Sequence, residues 1–166
     1  MKWLIRAVLV LALLVLCALG WTVYVMFTPH VKERAGRTYN EYIAQFGETD
    51  LPRTAQNIRY VASSVGLGGR AYLRRFEAPA EECKMYALIE YGYYDLDRAH
   101  AGKPPQFEPI SSRPEKPDLS AYDIRDLSWF DIENVVEGIT LRRDHSHRPF
   151  IFIDVKRNIY YSFWTD

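Results

Sequence analysis

The chain has 166 residues with 21 basic and 21 acidic side chains, so its formal net charge is zero. Every acidic residue follows Phe27, which leaves residues 28–166 slightly negative and argues against nucleic acid as a partner, because phosphate backbones attract strongly basic surfaces. Apolar residues make up 48% of the chain although the mean hydropathy is −0.24, so they must be concentrated in one segment beside an otherwise polar chain.

That apolar segment occupies residues 7–27, behind a basic N-terminal tail, residues 1–6, that contains Lys2 and Arg6. A helix of this length spans roughly 32 Å, which matches a hydrocarbon core of about 30 Å. Twelve of its residues are Val, Leu or Phe, whose insertion into lipid is favourable, and none is charged. The segment therefore predicts a transmembrane anchor, with the lipid bilayer as the partner of residues 7–27.

A cleaved export signal is the competing interpretation, because it also combines a basic start with an apolar stretch. Small residues at Ala18 and Gly20 would suit cleavage after Gly20. The apolar run nevertheless continues to Phe27, whereas the apolar region of a signal peptide usually turns polar after about 7 to 15 residues. We therefore predict a signal anchor that is retained.

The orientation of the anchor follows from the charges on its two sides. Lys2 and Arg6 precede it, and three basic residues within residues 31–37 follow it, partly offset by Glu33. A basic tail ahead of the first apolar segment is typical of a cytoplasmic N terminus. We therefore predict that the domain after the anchor is extracytoplasmic.

Residues 28–50 are predicted to form a helical stem. Apolar residues recur there at steps of four, four, three and four, which places them on one face of a helix that Gly47 ends. The residues in this pattern are Val31, Ala35, Tyr39, Tyr42 and Phe46.

Residues 51–166 are predicted to form one globular α+β domain, in which a small antiparallel sheet of about five strands carries one packed helix. The predicted order is β-β-α-β-β-β. Alternating or continuous apolar runs predict strands at residues 57–63, 70–76, 135–142, 150–155 and 159–164. We expect residues 150–155 to lie in the middle of the sheet.

The packed helix is predicted to begin at Pro79, which suits a first helical position, and to end at Gly92. Cys83 falls on its packing face with Ala80, Ala87 and Tyr91, so we interpret Cys83 as a buried structural thiol.

The segment after this helix, residues 103–118, holds five of the nine prolines. Proline lacks a backbone donor, so we predict a loop that crosses the domain surface. Pro114–Pro117 within it also fits a short extended ligand for a proline-binding partner.

His145 and His147 form the most suggestive chemical cluster, because side chains two residues apart on an extended segment point the same way. They are the only metal-ligand candidates, with Asp144, Glu137 or Asp154 as further ligands. Zinc needs three or four protein ligands, and the sequence does not fix a third. A polar turn between two strands explains the cluster more simply.

Two other patterns admit functional readings. Gly66, Gly68 and Gly69 resemble a phosphate-binding loop in glycine content, but no Lys-Ser/Thr pair follows, so we predict a hairpin turn. Aromatic residues make up 14% of the chain, and those not packed in the core would suit a docking surface.

No motif is specific enough to identify a family, and we predict neither a catalytic residue nor a cofactor. The sequence instead favours a single-pass membrane protein that displays a small non-catalytic binding or structural domain outside the cytoplasm. The partner of this domain would be a membrane protein or an extracytoplasmic protein. The alternative is a membrane-anchored hydrolase or metal-dependent enzyme that uses the turn containing His145 and His147.

Overall fold

A computed structural model describes residues 2–66, 69–93, 106–141 and 149–165. Within them the chain forms three α-helices: α1 (Lys2–Phe27), α2 (Tyr39–Phe46) and α3 (Ala80–Tyr93). It also forms seven strands: β1 (His30–Thr38), β2 (Gln56–Val65), β3 (Gly69–Glu77), β4 (Phe107–Pro109), β5 (Gly138–Leu141), β6 (Phe150–Asp154) and β7 (Ile159–Thr165).

All seven strands join one antiparallel sheet in the spatial order β1-β2-β3-β7-β6-β5-β4. The predicted α+β class is therefore confirmed. The last three predicted strands are β5, β6 and β7, and each pairs with the next, but β6 lies beside the middle of the sheet and not in it. The centre of the sheet is β7, because β3 pairs along its other edge.

One side of the sheet, which we call the helix face, packs against α3. Phe76 of β3 and Tyr160 of β7 are fully buried there with Cys83 and Ala87 of the helix. Helix α3 begins one residue after the predicted start at Pro79 and ends one residue after Gly92. Its predicted packing residues Cys83, Ala87 and Tyr91 are buried.

The opposite side, which we call the loop face, is covered by residues 110–137 rather than by a long helix. Two single-turn 3-10 helices, Ser120–Tyr122 and Ile132–Asn134, lie in this covering segment. Its buried side chains pack over Leu73 and Tyr161, and they are Leu119, Ile124, Phe130, Ile132 and Val135. Lys116 pairs with Glu133 at 2.8 Å, and Pro114 is buried, so the proline-rich loop lies against the domain.

The predicted helical stem is wrong over residues 30–38, which form β1 and pair with β2. A step of four residues, as from Val31 to Ala35, returns to one face of a strand as well as of a helix. The helix is confined to α2. Thr38 caps it by accepting a hydrogen bond from the backbone N–H of Glu41 at 3.3 Å, and Gly47 ends it with a φ of 85°.

The strand count also differs from the prediction of about five, because β1 and β4 extend the sheet at its two edges. The short strand β4 lies inside the proline-rich segment, where Pro109 is tolerated because β4 pairs on one side only. The predicted strand at residues 135–142 is observed from Gly138 to Leu141, since Val135 packs into the loop-face core instead.

Helix α1 contains a stretch, Leu9–Phe27, that is long and apolar enough to cross a membrane, and its side chains are exposed. By length and composition this stretch suits either a membrane anchor or a signal sequence.

Candidate functional site

The candidate site is a pocket on the helix face of the sheet, close to the end of α1. It has a volume of about 350 Å³ and lies over β1, β2, β3 and β7. We call it the juxtamembrane pocket and define it by six lining residues: His30, Lys32, Tyr60, Arg70, Tyr72 and Trp164.

Strand register places these residues side by side. Lys32 pairs with Ala62, which pairs with Tyr72, which in turn pairs with Trp164. One row nearer to α1, Ser64 lies between His30 and Arg70. Alternation along each strand points these side chains to the same face, so residues far apart in the chain meet in one concave surface.

Three aromatic rings form a continuous wall of the pocket. The ring centroids of Tyr60 and Tyr72 are 6.2 Å apart, and those of Tyr72 and Trp164 are also 6.2 Å apart. Such spacings are typical of favourable aromatic contacts. Burial raises the pKa of Tyr60 although Arg74 works against the shift, so the Tyr60 hydroxyl stays uncharged at neutral pH.

The basic residues give the open side of the pocket a positive potential. His30, Lys32 and Arg70 are exposed, and the pocket lining contains no carboxylate. Within the described part of the chain, neither Lys32 nor Arg70 forms an ion pair. The pocket therefore suits an anionic ligand.

A buried ionic network lies beside the pocket and fixes its wall. Arg74 Nη1 is 2.9 Å from Glu90 Oε1 of α3, and the Arg74 guanidinium lies 5.1 Å from the centroid of the Tyr60 ring. Glu90 also accepts hydrogen bonds from Tyr160, from Tyr72 at 3.2 Å and from Ser162 at 3.2 Å.

The single positive charge of the network, on Arg74, is balanced by the single negative charge on Glu90. Burial opposes the positive charge of Arg74, but Glu90 outweighs it and raises the pKa of the guanidinium. Arg74 also donates to the hydroxyl of Tyr86, whose pKa is raised mainly by burial. Arg74 is thus neutralised by Glu90, and the positive potential of the pocket comes from its rim.

One buried polar atom of the described pocket residues has no hydrogen-bond partner. The indole Nε1 of Trp164 is buried and forms no hydrogen bond within the described residues. A buried donor without an acceptor is costly, so such a group calls for a partner that the protein itself does not supply.

A larger groove of about 730 Å³ lies on the loop face, between β1–β3 and residues 128–131. Two of its charged groups pair with each other, since Arg75 Nε is 3.2 Å from Asp131 Oδ1, and the Arg59 guanidinium lies 5.9 Å from the centroid of the Trp129 ring. Burial favours a neutral Asp131, but hydrogen bonds from Arg157 and Tyr161 and the charge of Arg75 lower the pKa of the carboxyl to about 2. The Asp131 carboxyl therefore stays ionised, and its contacts stabilise the packing of residues 128–131 on the sheet.

The metal-ligand candidates His145 and His147, with Asp144, lie outside the described residues. Of the further ligands named with them, Glu137 is exposed and Asp154 is buried, where Asp154 accepts a 2.7 Å hydrogen bond from Arg157. Among the residues that the structure describes, no three His, Cys, Asp or Glu side chains gather to hold a metal ion. The histidine turn therefore stays a prediction.

The glycine-rich segment and the aromatic clusters are placed in part. Gly66 directly follows β2 and has a φ of 58°, and Gly69 begins β3, whereas Gly68 lies outside the described residues. Several aromatic residues are buried in the core and cannot form a docking surface, among them Tyr86, Tyr91, Tyr160 and Tyr161.

The juxtamembrane pocket is not predictable from local sequence patterns. The basic residues His30, Lys32 and Arg34 alternate along β1, and this signal was hidden because the segment was interpreted as a helix. Trp164 comes from the other end of the chain, and its neighbour Tyr72 is fixed only by the β3–β7 pairing.

Comparison with known proteins gives no relative: no protein-family model, curated protein sequence or solved structure matches this chain.

Proposed function

We propose that this is a single-pass membrane protein that holds a small non-catalytic binding domain against the outer surface of the membrane. The observation that carries the proposal is the short connection between anchor and sheet. Only Thr28 and Pro29 separate the end of α1 from the first residue of β1. Three residue steps span at most about 10 Å, so His30 lies close to the end of the anchor.

A second contact supports this placement of the domain. A Cβ added at Gly66 would lie 3.4 Å from Cδ1 of the Phe27 ring. The turn after β2 therefore lies beside the last residue of α1, and the juxtamembrane pocket is at the end of the domain nearest the anchor. Tethering of this kind confines the domain to the membrane surface and raises its effective concentration for a membrane-bound ligand.

The outward orientation rests on the basic tail that contains Lys2 and Arg6. The charge bias that orients an anchor is counted over short loops, whereas long domains are translocated largely regardless of their charge. Lys32 and Arg34 lie in β1 of a folded domain that is longer than the loops of up to about 60 residues over which the bias is counted, so the basic tail carries more weight than the near balance of charges indicates.

Protease protection tests this orientation. Right-side-out vesicles that contain the full chain are treated with a protease that cannot cross the membrane, and inside-out vesicles serve as the matched control. We expect loss of the domain in right-side-out vesicles and protection in inside-out vesicles. The reverse pattern would place the domain in the cytoplasm and overturn the proposed orientation.

A further inference from the structure

We infer that the juxtamembrane pocket binds the phosphate group of an anionic phospholipid in the leaflet beside which the domain lies. This inference rests on the proposed membrane anchoring, and it holds for a domain on either side of the membrane. It names a ligand class for the binding role: a lipid whose net negative charge lies in its headgroup.

The pocket lies at the height of lipid headgroups above the hydrocarbon. Ser64 lies two residues before Gly66, which is next to Phe27, and Ser64 pairs with both His30 and Arg70. A strand rises about 3.4 Å per residue, so two residues span about 7 Å, comparable with a headgroup layer of about 5 to 8 Å. The first row of the pocket thus lies at the level of lipid phosphates.

The rim of the pocket carries positive charge. Lys32 and Arg70 contribute two positive charges, and the neighbouring Arg74 is already neutralised by Glu90 at 2.9 Å. Anionic lipid surfaces attract each nearby basic side chain by about 1 kcal/mol. Lys32 and Arg70 place two such basic side chains around one site.

The indole N–H of Trp164 is an unpaired donor among the pocket residues. Trp164 Nε1 is buried without an acceptor, and phosphate oxygens accept such hydrogen bonds. Ser64 and His30, in the adjacent row, supply further polar groups. A phosphate held there would bind the mobile cations of the rim, and a rotation of the Trp164 side chain would bring its buried Nε1 to the phosphate oxygens.

The aromatic wall of the pocket favours a lipid over a free phosphate ion. The wall formed by Tyr60, Tyr72 and Trp164 is apolar with polar tips, which is the chemistry that aromatic side chains offer at membrane interfaces. A free phosphate ion would leave this wall without a ligand group, whereas the glycerol and the first acyl carbons of a phospholipid would cover it.

The test uses the full chain, purified from membranes in a neutral detergent with its N-terminal peptide intact. Native mass spectrometry measures binding of phosphatidylglycerol, which is anionic, and of phosphatidylcholine, which is zwitterionic. We expect tighter binding of phosphatidylglycerol. Removal of one basic side chain costs about fivefold in affinity, so Lys32→Gln/Arg70→Gln should bind phosphatidylglycerol about 25-fold more weakly.

Two further variants keep the test specific. Arg53→Gln/Lys156→Gln removes the same charge from exposed residues outside the pocket lining, and its affinity should match that of the unmodified chain. Trp164→Phe keeps the aromatic ring and removes the donor, so its affinity for phosphatidylglycerol should fall about fivefold while binding of phosphatidylcholine changes less.

Equal phosphatidylglycerol affinities of Lys32→Gln/Arg70→Gln and Arg53→Gln/Lys156→Gln would overturn the pocket as the lipid site. Displacement of the lipid by millimolar inorganic phosphate would assign the pocket to free phosphate and overturn the lipid. Because every sample retains its N-terminal peptide, either result would leave membrane anchoring intact. A chain that is recovered only from the soluble fraction and lacks that peptide would instead overturn the proposed function.

Discussion

Arg74 of β3 and Glu90 of α3 form an ion pair of 2.9 Å across the interface between the sheet and its packed helix. The side chain of Glu90 is only 5% exposed, and that of Arg74 is 23% exposed. The ion pair holds α3 against β3, the strand that carries Tyr72. The same contact therefore stabilises the fold and the position of the Tyr72 ring in the juxtamembrane pocket.

Replacement Glu90→Gln should lower the free energy of unfolding by about 3 kcal/mol, because it leaves a buried guanidinium without its counter-charge. Urea titration of the full chain in detergent micelles, followed by near-UV circular dichroism, measures the change. Glu81→Gln is the matched control on the same helix. Glu81 is 82% exposed and pairs with Lys84 at the surface, so its loss should cost less than about 1 kcal/mol. Equal effects of the two variants would contradict the role of the pair.

The carboxyl of Asp131 should make stability depend on acid pH. Its folded-state pKa of about 2 lies below its ordinary value of 3.8, because contacts with Arg157, Tyr161 and Arg75 outweigh its burial. A lowered pKa stabilises the folded state above about pH 4, and this contribution is lost as the pH falls through about 2.

Asp131→Asn should therefore cost on the order of 2 kcal/mol at pH 7 and remove that part of the acid dependence. Unfolding measured between pH 7 and pH 2 tests both effects. Asp123→Asn, at a half-exposed carboxyl paired with the exposed Arg125, is the control and should leave the pH profile unchanged. An unchanged profile for Asp131→Asn would refute the assignment.

Gly138 has no room for a side chain. A Cβ there would lie 2.6 Å from the carbonyl oxygen of Ile153 and 2.9 Å from Val135 Cγ1. Gly138→Ala should therefore destabilise the domain by about 2 kcal/mol, because the neighbouring strand must shift. Gly92→Ala in α3 meets nothing within 4 Å and should be neutral or stabilising by up to about 1 kcal/mol. Thermal unfolding of both variants checks the contrast, and equal melting temperatures would be inconsistent with this packing.

The sequence predicted the parts of the fold that depend on local periodicity. The strict alternation around Tyr72 and Phe76 identified β3, and the small residues Cys83 and Ala87 identified the packing face of α3. Strand β1 was missed because Val31 and Ala35, four residues apart, fit a helix and a strand equally well. The spacing of Thr38 and Glu41, which matches a capping box, marks the true start of α2 and was overlooked.

The site depended on information that local patterns do not contain. Trp164 and Tyr72 are neighbours because β7 pairs with β3 across 92 positions of the chain, and no periodicity specifies that choice. The position of Lys32 in the pocket likewise requires β1 to add to the edge of β2, which is a tertiary contact.

Cys83 should be unreactive in the folded protein. Burial raises the pKa of its thiol to about 12, and Sγ donates a 3.3 Å hydrogen bond to the carbonyl of Ala78. Since the thiolate is the reactive form, iodoacetamide at pH 8 should leave the Cys83 peptide unlabelled until urea unfolds the domain. Peptide mass spectrometry distinguishes this thiol from Cys17. Rapid labelling of Cys83 without urea would show that the thiol is accessible.

The most direct test of the whole account is whether the chain stays in the membrane with its N-terminal helix uncut. Membranes from cells that express the full sequence are washed with alkaline carbonate and sedimented, and the N-terminal peptide is identified by mass spectrometry. The account predicts a pelleted chain that still contains residues 9–27. A soluble chain that starts at Trp21, or an intact chain in the supernatant, would contradict it.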